Sequence, residues 1–359
     1  MSRTMKVFFD TLNVYYLPQY LPIAQQLKAH NVEVQFVCYR NKNKSLGPQQ
    51  QELEQCYSLH WLNDDVEAAE YYAQQKPDWI FFGNEFKYLD KVHQVSKTAQ
   101  LGHGIGPKPS YYHKSKTPMT VRFIEGELRL EKIKQFYPND TFIQVGFSKL
   151  DPIFDGSECG LDIEGLGLDK TKQTILYAPT FNPSSLECFP DDWPSEFEDY
   201  NVLIKPHSLT FMREQYKGQR KKLEKWSKFS NVYVAKMTDL NLVPFLKSAD
   251  ILLSEASSTL FEFTALDRPV IVCNFFKLKW SYRGPFKYRF EKRFGKDNVL
   301  YKEIGQHINH YKELKQAVTY QLSHRDEYQQ QRQQYTVDHV GPIDGQSSQR
   351  IVQYLMSHQ

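Results

Sequence analysis

Three hydroxyl residues in succession, Ser257, Ser258 and Thr259, follow the apolar run Ile251-Leu252-Leu253 and precede Leu260-Phe261. That order predicts a buried strand, a small-residue turn and the start of a helix. Hydroxyls and unpaired backbone N–H groups at a helix start favour an anion such as phosphate, with no metal required. Glu262 stands one helical turn after Ser258 on the same face, where a carboxylate suits a ribose diol better than a phosphate. Ser and Thr are also preferred at helix starts for structural reasons alone, so the same residues read equally as an ordinary cap.

Three other segments place polar groups after apolar runs. In Gln100-Leu101-Gly102-His103-Gly104-Ile105-Gly106 the flanking glycines Gly102 and Gly104 let the backbone approach a ligand, and the His103 imidazole can act as general base on a hydroxyl. A single histidine after a strand is also often structural. Tyr177-Ala178-Pro179-Thr180-Phe181-Asn182 presents Thr180 on a loop able to reach a ligand, or is a plain turn. Leu203-Ile204-Lys205-Pro206-His207-Ser208 offers a cation and an imidazole that together can neutralise a phosphate during transfer. Each segment has a bland reading, and it is their convergence that points to chemistry. No GxxxxGK[ST] loop, GxGxxG helix opening, HExxH or GxSxG pattern competes with it.

The elements that must position these groups alternate. Residues 6–9 read as a strand, 18–30 as a helix and 32–39 as the next strand, with further strands at 78–83 and 98–101. That order predicts a doubly wound parallel sheet in an N-terminal domain, residues 1–155. Residues 156–173, rich in Gly and Asp, are expected to link it to a second domain, 174–359, with strands at 174–178, 201–205, 231–235, 250–254 and 270–274. The last helix is expected to pack back on the N-terminal domain. The fold class is α/β: two Rossmann-like domains of GT-B type, with a cleft between them that takes the ligand at the strand ends.

Bulk properties narrow the function. The 359 residues, 40% hydrophobic and 24% charged, suit two globular domains, and a net charge of +3 is too small for a nucleic-acid binder. Five scattered cysteines without CxxC spacing argue against a disulfide framework or a zinc site and for a reducing cytoplasm. No apolar run is long enough to span a bilayer. Residues 277–302 are dense in Lys, Arg and aromatics, with only Glu291 and Asp297 as acids. They read either as a peripheral contact with an anionic membrane surface or as a solvated basic face. Residues 329–334 form a Gln-rich helical stretch.

Gly102-His103-Gly104, Ile175-Leu176-Tyr177-Ala178-Pro179-Thr180, Lys205-Pro206-His207 and the segment from Asp250 to Ser258 resemble, in the same order, the CDP-glycerol glycerophosphotransferase family of teichoic-acid and capsule synthesis. Val145-Gly146-Phe147-Ser148-Lys149-Leu150-Asp151 and Asp344-Gly345-Gln346-Ser347-Ser348-Gln349-Arg350-Ile351 are similar to two further family segments. The resemblance implies a GT-B enzyme, with the nucleotide in the C-terminal domain and the acceptor facing the N-terminal one. Such an enzyme transfers glycerol phosphate or ribitol phosphate from a CDP-polyol to a hydroxyl of a cell-surface glycan or its lipid-linked precursor, and releases CMP. His103 matches the family's base, His207 its second histidine, and Ser257 and Ser258 its pyrophosphate-binding serines. Thr259 and Glu262 extend that site by helix geometry. No metal, cofactor or nucleic acid is expected, and the location is the cytoplasm, peripheral on the inner face of the plasma membrane. The alternatives are a GT-B glycosyltransferase using a nucleotide sugar and a non-catalytic glycan-binding relative.

Overall fold

The structure, a computed structural model, describes residues 3–43, 46, 49–102, 104–105, 118–255, 257–276, 284–286, 288–289 and 303–358. His103 and most of residues 277–302 lie outside the described residues. The chain divides into two compact units. The first comprises the described residues up to Ile105, those from 118 to Ser157, and Val337 onward; the second comprises Glu158–Thr336.

The first unit is built on a seven-stranded sheet in the order β3-β2-β1-β4-β5-β6-β7. Its strands are β1 (Lys6–Thr11), β2 (Glu33–Tyr39), β3 (Leu59–Leu62), β4 (Trp79–Phe82), β5 (Lys97–Leu101), β6 (Val121–Ile124) and β7 (Phe142–Gln144). Every pairing is parallel. A parallel sheet covered on both faces needs strands that are apolar on both sides, and all four residues of β4, Trp-Ile-Phe-Phe, are buried. Phe9 anchors the centre of one face, 4.8 Å from Phe81, 5.0 Å from Tyr20 and 5.3 Å from Phe36 between ring centroids. In β6 the run Val-Arg-Phe-Ile buries Arg122, which pairs with Asp140 and lies 4.0 Å from the centre of the Tyr137 ring. That pairing satisfies a charge that would otherwise forbid the strand.

The second unit carries β8 (Thr174–Tyr177), β9 (Asn201–Ile204), β10 (Val232–Val234), β11 (Ile251–Ser254), β12 (Val270–Cys273) and β13 (Gln306–Ile308). Their order is β10-β9-β8-β11-β12-β13, again parallel throughout. Ile175, Val202, Leu253 and Ile271 meet an aromatic cluster of Phe189, Trp193 and Trp226 in its core.

Two boundary expectations need correction. Residues 158–173 are not a free linker but part of the second unit, because their backbone is tied to its elements. Leu161 N donates to Ser248 Oγ at 2.7 Å, Asp169 N to Asn201 Oδ1 at 3.1 Å, and Asn201 Nδ2 to Asp169 O at 2.7 Å. The other correction concerns the C-terminal stretch, which belongs to the first unit from Val337, ten residues before its last helix, Ser347–Ser357, begins.

That return is built by two of the segments singled out in the sequence. The buried Asp151 carboxylate accepts Ser347 N at 3.1 Å and Ser348 N at 2.6 Å, capping the last helix across the chain. Gly146, at φ +93°, admits the Ser347 hydroxyl where a Cβ would come within 2.6 Å of it. Ile351, Val352 and Leu355 are buried, and the Tyr354 ring meets Trp79 and Phe123 edge-on.

Candidate functional site

Three of the four polar strand ends are neighbours on the second unit's sheet. With β9 and β10 on one side of β8 and β11 to β13 on the other, the chain's winding reverses at the β8/β11 border, the place where open parallel sheets bind ligands beyond their carboxyl ends. Ala178 N donates to Leu253 O at 2.9 Å and Ser254 Oγ to Ala178 O at 2.7 Å, so the ends of β8 and β11 are tied past their ladder. On the other side Lys205 N donates to Tyr177 O at 2.9 Å.

Glu255, directly after β11, organises the border. Its carboxylate accepts Thr180 N at 2.7 Å, Ser185 N at 2.6 Å and the Ser185 hydroxyl. It is 2% exposed, and burial pushes its pKa up to about 7 despite those three donors. The segment from Thr180 to Ser185, which includes a cis Asn182-Pro183 bond, is thereby held against the end of β11. Thr180 Oγ1 in turn donates to Pro183 O.

Beyond Glu255, Ser257 caps the helix Ser258–Thr264, its Oγ accepting Thr259 N at 3.3 Å and donating to Thr259 Oγ1 at 3.2 Å. Ser257 and Ser258 are half-buried, while Thr259 and Glu262 are buried, Glu262 to 3% exposure. The helix has only seven residues, so the groups available to an anion are the hydroxyls and N–H groups of its first turn rather than a long dipole.

At the end of β9, His207 caps the helix Ser208–Met212, Nδ1 accepting Leu209 N at 3.1 Å. In the neutral ring that bond places the proton on Nε2, so that edge of His207 is an N–H donor. The ring packs on Phe181 at 4.8 Å between centroids, so the β8 and β9 ends are joined by an aromatic contact beside Thr180. Arg213 lies 5.9 Å from the Phe181 ring centre, and Lys205 Nζ lies 5.8 Å from that of Phe245. Gln219 fixes the loop by donating to Phe181 O at 3.2 Å and Glu187 Oε1 at 3.0 Å.

The fourth strand end belongs to the first unit. Gly102 and Gly104 follow β5, and the buried Arg129 guanidinium fills the space beside them. A Cβ on Gly102 would come within 2.6 Å of Arg129 Nη2. Arg129 Nη1 donates to Gly104 O at 3.2 Å and to Glu125 Oε2 at 2.9 Å. Gly102 is thus required by a buried ion pair beneath the turn.

Thr180, Lys205, His207, Ser257 and Ser258 therefore stand on adjacent strand ends of one unit, and Gly102 and Gly104 in the other. Sequence reasoning missed Glu255, Phe181, Ser185 and the Glu125–Arg129 pair. Only the i, i+4 spacing of that pair was visible beforehand. Among the described residues no three His, Cys, Asp or Glu side chains gather as a metal site.

Comparison with known proteins adds the chemistry. The family model described as CDP-Glycerol:Poly(glycerophosphate) glycerophosphotransferase matches residues 127–357. The teichoic acid glycerol-phosphate primase of Bacillus spizizenii is 29% identical over 161 residues, 42% of this chain and 39% of that protein, so the match spans well under half of the relative's length. Among solved structures, the wall teichoic acid polymerase TagF is similar with a TM-score of 0.67 at 16% identity, over 99% of this chain and 88% of that one. A UDP-GlcNAc 2-epimerase from Neisseria meningitidis gives 0.62 at 13% identity, over 98% and 100%. These likenesses agree with the two Rossmann-like units described above.

Proposed function

This chain belongs to the CDP-glycerol:poly(glycerophosphate) glycerophosphotransferase family, and on that premise we propose that it transfers a polyol phosphate from a CDP-polyol, CDP-glycerol or CDP-ribitol, to a hydroxyl of a glycan or lipid-linked glycan. The acceptor oxygen bonds to the phosphorus that carries the polyol. The bond from that phosphorus to the bridging oxygen breaks, CMP leaves, and the hydroxyl proton passes to His103.

The observation that carries this reading is the β8/β11 border, where Thr180, Ser257 and Ser258 stand beside a lysine and an imidazole N–H donor on the next strand. His207 and Lys205 stabilise charge on the transferring phosphate, and the first turn at Ser257 and Ser258 holds the pyrophosphate, with Thr259 and Glu262 behind it. We assign the basic, aromatic segment 277–302 to contact with the anionic inner face of the membrane. Among the described residues no helix is long and apolar enough to cross it.

Mass spectrometry of the products tests the reaction. CMP together with an acceptor heavier by one polyol phosphate is expected, whereas a nucleoside diphosphate with a sugar-mass gain overturns the assignment in favour of glycosyl transfer. His103→Ala is expected to abolish turnover and leave CDP-glycerol affinity within a few fold. Sedimentation with anionic vesicles, lost when basic residues of 277–302 are neutralised, tests the membrane contact.

A further inference from the structure

The first unit carries a second polar strand-end cluster that the reading above does not use. Its sheet also reverses, with β2 and β3 on one side of β1 and β4 to β7 on the other, so the β1/β4 border is a place for a ligand by the same rule. Two loops leave the sheet there. The first brings Asn13 and Tyr15, the second Asn84.

These loops are built rather than loose. Asn13 Nδ2, at 3.4 Å, and Asn84 Nδ2 both donate to the hydroxyl of Tyr16, which is buried. Gly83 lets the strand end beneath this group, since a Cβ would lie 3.0 Å from the Tyr16 ring and from the Tyr20 hydroxyl. Asn43 ties the first loop from behind, donating to Leu12 O at 3.3 Å and accepting Val14 N at 3.5 Å.

With both amide nitrogens turned to Tyr16, the two half-buried carboxamides keep their oxygens as acceptors, and the described residues make no hydrogen bond to either. Beside them Tyr15 is 36% exposed and stands edge-on to Tyr16 at 4.8 Å. Two carboxamide acceptors next to an exposed aromatic ring match the alternating hydroxyl edge and C–H face of a sugar. The charge balance favours a neutral ligand over a phosphate, because residues 11–16 and 83–88 hold one acid, Glu85, and one base, Lys87, which lies over the Tyr88 ring.

We infer that Asn13, Tyr15 and Asn84 form a binding platform for a neutral sugar and, resting on the transferase reading, that it holds the glycan acceptor.

The test uses the full chain with methyl glucoside as probe, followed by saturation-transfer NMR, and CDP-glycerol titrated separately. Wild type and Tyr15→Phe are expected to bind the sugar. Tyr15→Ala and Asn84→Ala should weaken it about tenfold, the worth of one stacking or hydrogen-bonding contact, with CDP-glycerol affinity unchanged and the acceptor KM raised with little change in kcat. Sugar binding by Tyr15→Ala equal to wild type overturns the platform, as does failure of wild type to bind the sugar at all. Should Asn84→Ala unfold, Tyr15→Ala carries the comparison, because its ring is exposed. A disaccharide free and the same disaccharide on a lipid pyrophosphate, used as competitors, tell a soluble from a lipid-linked source, and displacement by neither counts against the inference. Absence of CMP release from both CDP-glycerol and CDP-ribitol refutes the transferase reading alone and leaves the sugar measurement standing.

Discussion

Replacing Glu255 by Gln removes a buried charge while keeping the side chain's size, and its effect on stability has a sign that depends on pH. The carboxylate is encircled by Thr180 N, Ser185 N and the Ser185 hydroxyl, yet burial holds its pKa at about 7, above the ordinary 4.5. Because the folded value lies above the unfolded one, the group's contribution to stability is full below pH 4.5 and is lost as the pH rises through about 7. Each pH unit in that window is worth about 1.4 kcal/mol, so the wild-type contribution falls by about 3 kcal/mol in all. The Gln variant has no such dependence. It turns an amide NH2 toward one of two backbone N–H donors, which leaves a buried donor unpaired at about 1–3 kcal/mol. The variant is therefore expected to be about 1–3 kcal/mol less stable than wild type near pH 4.5, and to match or exceed it at pH 8. Urea unfolding at pH 4.5, 6.5 and 8, followed by fluorescence of the fully buried Trp193 and Trp226, reads the second unit. A difference between the two proteins that stays constant, or widens toward alkaline pH, would refute the reasoning. It would mean that the three donors outweigh desolvation and keep the carboxylate charged.

Three further outcomes follow from the geometry. His207→Asn keeps a side-chain acceptor for Leu209 N but loses the imidazole N–H, so urea stability should stay within about 0.5 kcal/mol of wild type while turnover drops by about a hundredfold; full activity in that variant excludes His207 from the chemistry. Gly102→Ala forces the Arg129 guanidinium away from Gly104 O, and CMP formation should fall severalfold or more with CDP-glycerol affinity unchanged, as measured by steady-state kinetics and titration calorimetry. Asp151→Ala removes the cap from the Ser347–Ser357 helix and is expected to destabilise the first unit by about 1–2 kcal/mol, visible as faster release of the C-terminal peptide in limited proteolysis.

The strands were legible where apolar runs ended in Gly, Pro or hydroxyl residues, as at Phe82-Gly83 and Ser254-Glu255. β6 was hidden because Arg122 interrupts its run, and only the fold supplies Asp140 and Tyr137 to accept that charge. β7 and β13 are as short as β10 but, as Phe-Ile-Gln and Gln-His-Ile, lack its apolar Val-Tyr-Val run, so nothing marked them as strands. The hydroxyls, lysine and histidine of the second unit were readable from type and position. Glu255 was not, because its partners lie about 70 residues back on a loop that must first return across the sheet. The cap that Asp151 gives to Ser347 and Ser348 spans almost 200 residues, beyond any local pattern.

The placement of that last helix sets an order of events during synthesis. Ribosomes deliver residues from the amino end, and a domain normally folds once its own stretch has emerged. Here the unit that starts first finishes last, because roughly 200 residues separate Ser157 from Ser357, and at about 5–20 residues per second they take about 10–40 s to make. Through that interval Asp151 faces no helix end and the surfaces of Trp79 and Phe123 that receive Tyr354 are bare, while the second unit can close as soon as Thr336 has emerged, before the Ser347–Ser357 helix is made. The nascent chain thus carries a folded later half beside an unfinished earlier one, and a ribosome that stalls shortly before residue 347 leaves behind a product damaged in the half it made first.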